Sequence, residues 1–151
     1  DISNTFWAVA QLHGHVPQLA SPAVKASLLV MLDVFTVKLH GTNTQDIATC
    51  IWATGILGWK AGEADGFLRE ALPEAQRRIT DFAPQELANI CWGLALCQHS
   101  NARFMDVVSK TVIHRLPDWE KKGNGLSMDL IQIVWASSKL GIHDEKLATE
   151  S

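Results

Sequence analysis

The chain has 151 residues, 47% of them hydrophobic and 19% charged, with a mean hydropathy of +0.05, which is enough apolar mass for one buried core and excludes a disordered chain. Thirteen Lys and Arg against sixteen Asp and Glu give a net charge of −3 and a pI near 6.0, which excludes a uniformly basic nucleic-acid domain. Three Cys without a Cys-x-x-Cys exclude a disulfide framework and a zinc ribbon and suit a reducing compartment. The longest apolar stretch, residues 26–39, is broken by Asp33 and Lys38, so no membrane span is expected. The chain begins at Asp1, shows no signal or transit peptide and holds no Asn-x-Ser/Thr sequon.

In chain order, hydrophobic periodicity predicts a series of helices. The first covers residues 1–13 around Trp7. A second runs over 22–39 with Val24, Leu28, Leu32, Phe35 and Leu39 on one stripe. The third covers 45–58 around Trp52. The fourth covers 66–82 with Phe67, Leu68, Leu72 and Ile79, and Pro73 is expected to break or kink it. The fifth covers 85–98 around Trp92, and the sixth covers 101–116 with Phe104, Val107, Val108, Val112 and Leu116. The seventh covers 128–141 around Trp135, and another is expected to begin near His143. Polar or glycine-rich linkers are expected at 40–43, 59–65 and 120–126. No strand-like alternation of any length interrupts the series.

The four Trp helices are copies of one another. Trp7, Trp52, Trp92 and Trp135 lie 45, 40 and 43 residues apart. Six residues before each stands an acid: Asp1, Asp46, Glu86 and Asp129. Five before stands Ile2, Ile47, Leu87 or Leu130. One after is Ala8, Ala53, Gly93 or Ala136, and three after is Ala10, Gly55, Ala95 or Ser138. Small residues at those places allow a neighbouring backbone to approach, and the four Trp are expected to fill the core beside them. Thr44 and Ser127 suit helix N-caps and Pro84 a first turn; Gly58 and Gly141 suit C-caps. A period of 40–45 residues predicts an all-α fold, an α-solenoid of stacked helical hairpins in a single domain, 1–151. Its repeats are approximately 1–43, 44–83, 84–126 and a partial 127–151. Both ends cut through the pattern, so the natural protein is expected to continue on at least one side.

The segments FAPQELANICWGLALC, from Phe82, and NTQDIATCIWATGILG, from Asn43, resemble the octotricopeptide-repeat family of organelle proteins. They are also similar to the helical repeats of RAP-domain and FAST-kinase-like proteins. The resemblance covers nearly the whole chain and is carried best by the pattern from Pro84 to Ala95; the copies at Asp1 and Met128 are looser. It implies binding of single-stranded RNA along stacked helices and a part in transcript stability, processing or translation in the mitochondrial matrix or chloroplast stroma. The acidic net charge departs from that expectation, and no RAP domain is present.

The residue three before each Trp is polar: Asn4, Thr49, Asn89 and Gln132. Varied amides and hydroxyls there suit base reading, one per repeat. The more economical expectation is that they satisfy backbone carbonyls between neighbouring helices. Basic residues fall mostly on the second helices and linkers. Arg77, Arg78, Arg115, Lys121 and Lys122 are the candidates for phosphate contacts, although interspersed Glu70, Glu74, Asp106, Asp118 and Glu120 suit an ordinary solvated face. Trp59 and Trp119 lie outside the repeated position and suit either base stacking or a cover over a hairpin edge. His13 and His15 lack a third ligand at a metal spacing, and Cys50, Cys91 and Cys97 read as buried thiols. Neither a phosphate-binding loop nor a nucleophile motif occurs, so no enzyme, cofactor or metal is expected. Two readings follow: a single-stranded RNA module, or a protein-binding scaffold whose partners are other subunits of an organelle assembly.

Overall fold

Seven helices and three short 3-10 turns account for the described chain, and no strand occurs among the described residues. The computed structural model describes residues 1–60, 62–123 and 126–150, with 142–150 as helical backbone only. The helices are α1 (Ile2–Leu12), α2 (Pro22–Val37), α3 (Thr44–Ile56), α4 (Asp65–Arg77), α5 (Pro84–Cys97), α6 (Ala102–Lys122) and α7 (Leu126–Glu150). None of the described helices is long and apolar enough to cross a membrane.

Local chemistry sets the helix starts. The side chains of Asp1, Ser21, Asn43 and Asn101 accept the backbone N–H groups of Asn4, Val24, Asp46 and Phe104, so each satisfies a donor that helix geometry leaves free. The cap of α3 is therefore Asn43, not Thr44. The Thr44 hydroxyl instead donates to Glu86 Oε1 on α5 at 2.9 Å. Pro84 opens α5 as expected, and the Ala83 N–H donates to the Glu86 carboxylate at 2.9 Å. Ser127 falls inside α7, not at its cap. Gly58, at φ 76°, follows the end of α3 as expected.

The chain stays helical at three places where a break, a kink or a helix end was expected. α4 runs through Pro73 and α6 runs through Pro117 to Lys122. Both prolines are exposed, as are Arg69 and Ile113 four residues earlier, so water can reach the carbonyls that lose their helical partners. α7 continues through Gly141, and the turn expected before His143 is absent. A glycine inside a helix costs only about 1 kcal/mol relative to alanine.

The Trp helices lie side by side in chain order. α3 packs between α1 and α5, and α5 between α3 and α7, while α4 contacts both α2 and α6. The core includes Phe6, Leu32, Ile47, Ile51, Leu68, Leu72, Leu87, Ile90, Leu94, Phe104 and Val108, all buried. Each such side chain contributes roughly 1.5–3 kcal/mol by leaving water. α3 and α5 approach closely at two glycines. A Cβ on Gly55 would lie 2.7 Å from the Gly93 carbonyl oxygen, and one on Gly93 would lie 2.5 Å from that of Ile51. The small residues after Trp do what their positions suggested.

A buried carboxylate ties α4 to the turn after α2. Glu74 is 4% exposed and meets Arg77 Nη2 at 2.5 Å, Arg78 Nε at 3.0 Å and His40 Nδ1 at 2.9 Å. The hydrogen bond from Arg77, with the charges of Arg77, His40 and Arg78, outweighs burial and holds the Glu74 carboxyl below the usual carboxylate range. A lowered carboxyl contributes stability above the unfolded-state pKa and loses it as pH falls through the folded value. Glu74→Gln is expected to lower stability by roughly 2 kcal/mol at neutral pH, the scale of hydrogen bonds to a charged group. It should also flatten the acid limb of a urea-midpoint-against-pH curve as pH falls below the ordinary carboxylate range.

Cys50, Cys91 and Cys97 are free and buried. Burial pushes the Cys91 thiol up to about 12, and burial together with the Asp46 charge does the same to Cys50. The thiolate is the reactive form. Native protein at pH 8 is therefore expected to react with a thiol reagent much more slowly than urea-unfolded protein, and comparable rates would contradict the burial.

Candidate functional site

In α3 the buried residues Ile47, Ala48, Cys50, Ile51, Ala53, Thr54 and Gly55 sweep most of the helix circumference. At 100° per residue the arc left to solvent carries Gln45, Thr49, Trp52 and Ile56. The same offsets place Asn4, Trp7 and Gln11 on α1, Gln85, Asn89, Trp92 and Leu96 on α5, and Gln132, Trp135 and Lys139 on α7. Because these helices lie side by side, the arcs join into one surface. A cleft of about 320 Å³ crosses α1, α3 and α5, lined among others by Trp7, Gln45, Thr49, Trp52, Gln85 and Asn89. A second, of about 200 Å³, shares Trp7, Gln45 and Thr49 and adds Ser3, Asn4 and Asp46.

This placement corrects the expectation that the repeated Trp fill the core. The four repeated Trp are not core: Trp7 is 52% exposed, and Trp52, Trp92 and Trp135 are half-buried at the surface. Trp59 and Trp119, outside the repeated position, are the buried pair at 5% exposure each. Trp59 meets Phe6 edge-on with centroids 6.1 Å apart, and the Arg115 guanidinium lies over Trp119 at 5.0 Å. The physical reason is that the apolar offsets before and after each repeated Trp already fill the buried arc, leaving the indole on its rim.

The polar residues three before each Trp share that rim. Asn4 is exposed; Thr49, Asn89 and Gln132 are half-buried. None of these four side chains hydrogen-bonds to a described residue, so they do not satisfy carbonyls between helices. Polar links between neighbouring Trp helices include two made by the helix-start acids and a contact of Thr54 Oγ1 with Cys97 Sγ at 3.6 Å. Ser3 Oγ lies 2.6 Å from Asp46 Oδ1 and 2.8 Å from Asp1 Oδ1, its one proton serving either, and Thr44 donates to Glu86. Burial raises the Asp129 carboxyl, the counterpart on α7.

The candidate phosphate contacts are not gathered there. Arg77 is held by Glu74. Arg78 donates to the Thr42 carbonyl at 2.8 Å, and Arg115 donates to the Thr80 and Phe82 carbonyls. Lys121 and Lys122 are exposed in the last turn of α6, where the helix dipole favours them. Arg77 instead lines a separate cleft of about 410 Å³ with Gln76, Asn101 and Arg103 on α4 and the start of α6. Lys139 lies 5.5 Å over the Trp135 ring on the Trp surface, and Lys60 reaches the Leu96 carbonyl at the end of the α5 arc at 3.4 Å. Gln11, Gln45, Gln85 and Lys139 complete the surface, and sequence reasoning did not select them. Their signal was their offset of seven before or four after a Trp, which is the same azimuth.

Trp92 and Trp135 stack on each other, with centroids 4.3 Å apart and rings inclined by 28°. The surface thus offers flat indoles alternating with amides and a hydroxyl. That chemistry suits planar ligands whose edges carry hydrogen-bond donors and acceptors.

No family model, curated protein or solved structure matches the chain.

Proposed function

We propose that the chain is a non-catalytic α-solenoid of stacked helical hairpins, of the octotricopeptide-repeat kind, that binds an extended single strand of RNA. The observation that carries this reading is the cleft in which Trp7 and Trp52 flank Gln45, Thr49 and Asn89. Unpaired bases stack on the indoles, and base edges meet amides and a hydroxyl that have no partner among the described residues. A setting in the mitochondrial matrix or chloroplast stroma, and a role in transcript stability, processing or translation, rest on the resemblance of the Trp segments alone.

The Trp surface carries Lys139 but none of the five selected cations, so stacking is the main source of affinity and counterion release a minor one. A single strand gives a salt slope of about −0.7 per phosphate neutralised, so the logarithmic slope is expected to be about −1 or shallower. Fluorescence anisotropy with a labelled single-stranded RNA pool at low and physiological salt, with duplex DNA as competitor, tests the reading. Saturable binding that resists both salt and duplex supports it. No binding at tens of micromolar protein would overturn it and leave a polypeptide as the ligand class of the cleft.

A further inference from the structure

Between α4 and α6, inside the series of helices, lies the cleft of about 410 Å³, and it shares no residue with the clefts of the Trp surface. Leu72, Pro73, Gln76 and Arg77 line it from α4, and Asn101 and Arg103 from the start of α6. Two guanidiniums thus border one cavity that no carboxylate lines. Arg77 gives Nε and Nη2 to the buried Glu74, which fixes the plane of its fork and leaves Nη1 without a hydrogen bond to a described residue. Arg103 is exposed and makes no hydrogen bond or ion pair with a described residue. Asn101 Oδ1 accepts the Phe104 N–H at 3.0 Å, so the amide donors of that side chain are what remains.

The neighbouring acids do not cancel this charge. Glu74 is met by Arg78 and His40 as well as by Arg77, and Asp106 pairs with Lys110 at 2.8 Å. Asp81, in the turn after α4, is the other acid whose charge reaches Arg77. Arg77, Arg78 and Arg103 against Glu74 and Asp81 leave positive charge in surplus. The cleft is also no by-product of the repeat. At the same distances before Trp52, α2 carries Leu32, Asp33, Thr36 and Val37 where α4 carries Leu72, Pro73, Gln76 and Arg77 before Trp92. An acid and a valine there give an anion no purchase.

We propose that the α4–α6 cleft binds a free phosphomonoester of mononucleotide size. A phosphomonoester presents three acceptor oxygens, enough to engage two guanidiniums at once, whereas a carboxylate or an internal phosphodiester presents two. The cleft is larger than one phosphate needs and falls in the range of small-molecule sites. Leu72 and Pro73 supply an apolar wall for the sugar or base. Arg103 stands in the first turn of the 21-residue α6, whose positive end adds to the attraction. No residue of the Trp surface takes part, so this site is independent of RNA binding.

The test is a titration of the isotope-labelled whole chain, in phosphate-free buffer of low salt, followed by amide NMR shifts. The probes are adenosine monophosphate, orthophosphate and adenosine. Adenosine monophosphate is expected to saturate with a Kd at or below about 1 mM and to move the amides of Gln76, Arg77 and Arg103. Orthophosphate should bind several-fold more weakly, and adenosine should not saturate. Arg103→Gln removes an exposed side chain that holds nothing in place, so the fold is kept while affinity for adenosine monophosphate falls by roughly tenfold. Lys110→Gln removes the same charge from α6 outside the cleft and should leave that affinity nearly unchanged. No saturation by about 10 mM adenosine monophosphate overturns the proposal. Equal affinity for orthophosphate also overturns it, because the cleft then holds an adventitious ion only. So does an Arg103→Gln variant that binds as the wild type does, or one that loses no more affinity than Lys110→Gln.

Discussion

Gly93→Ala is expected to destabilise the fold by about 2–3 kcal/mol, although helix propensity alone predicts a gain of nearly 1 kcal/mol. The new methyl carbon would lie 2.5 Å from the Ile51 carbonyl oxygen and 3.0 Å from the Trp52 Cα. Both are backbone atoms of a packed helix, so no rotamer change relieves the contact and α3 and α5 must separate. The core residues Ile51 and Leu94 then lose close packing on either side. A chain of this length loses roughly 2–4 °C of melting temperature per kcal/mol, so calorimetry should show a fall of about 5–10 °C. Gly66→Ala is the control. It sits inside α4 with nothing within 4 Å of its Cβ position, and it should raise stability by up to about 1 kcal/mol. Equal effects at the two glycines would mean that α3 and α5 do not touch at this point.

Trp7 and Trp59 are expected to respond in opposite ways. Trp7→Ala removes an indole that is 52% exposed, so the melting temperature should scarcely move. If bases stack along the Trp surface, the same change weakens single-stranded RNA binding by about 1–3 kcal/mol, between five- and one-hundred-and-fifty-fold in Kd. Trp59→Ala empties a site that is 5% exposed and takes away the edge contact to Phe6. Its cost should be about 3–5 kcal/mol of stability. Anisotropy titrations and urea melts on both variants separate the roles. An unchanged Kd for Trp7→Ala would remove the first of the stacking platforms from the proposal.

The contrast between these residues marks how far the sequence could be read. The order and spans of the helices follow from apolar spacing, proline at a first turn and glycine after a last one, all short-range chemistry. The close approach of Gly55 and Gly93 was visible as a recurrence of small residues at fixed offsets. The orientation of the Trp was not obvious, because an indole counts as apolar in any periodicity count. The correcting signal lay beside it: Gln45 and Thr49 before Trp52, and Gln85 and Asn89 before Trp92, put polar groups on the same azimuth. The arginines were illegible for a different reason. Arg78 and Arg115 reach carbonyls 36 and 35 residues earlier, and no local pattern encodes a partner at that distance. Apolar spacing ends the sixth helix too early, at Leu116: α6 runs on through Pro117 to Lys122, where both the proline and Ile113, whose carbonyl it frees, are exposed.

The indole pair of Trp92 and Trp135 gives the surface a direction. Toward α1 the rings of Trp7 and Trp52 border open volume. Toward α7 the last two rings are already face to face at 4.3 Å. A planar group arriving there must wedge the two indoles apart, against a stacking attraction of about 0.5–1.5 kcal/mol, or stop short of them. The four platforms are therefore unequal, and a linear ligand meets a receptive end and a closed one. If a strand of RNA binds along this row as proposed, its two orientations are expected to have different energies even when its units are chemically identical, so that polarity would be read before sequence.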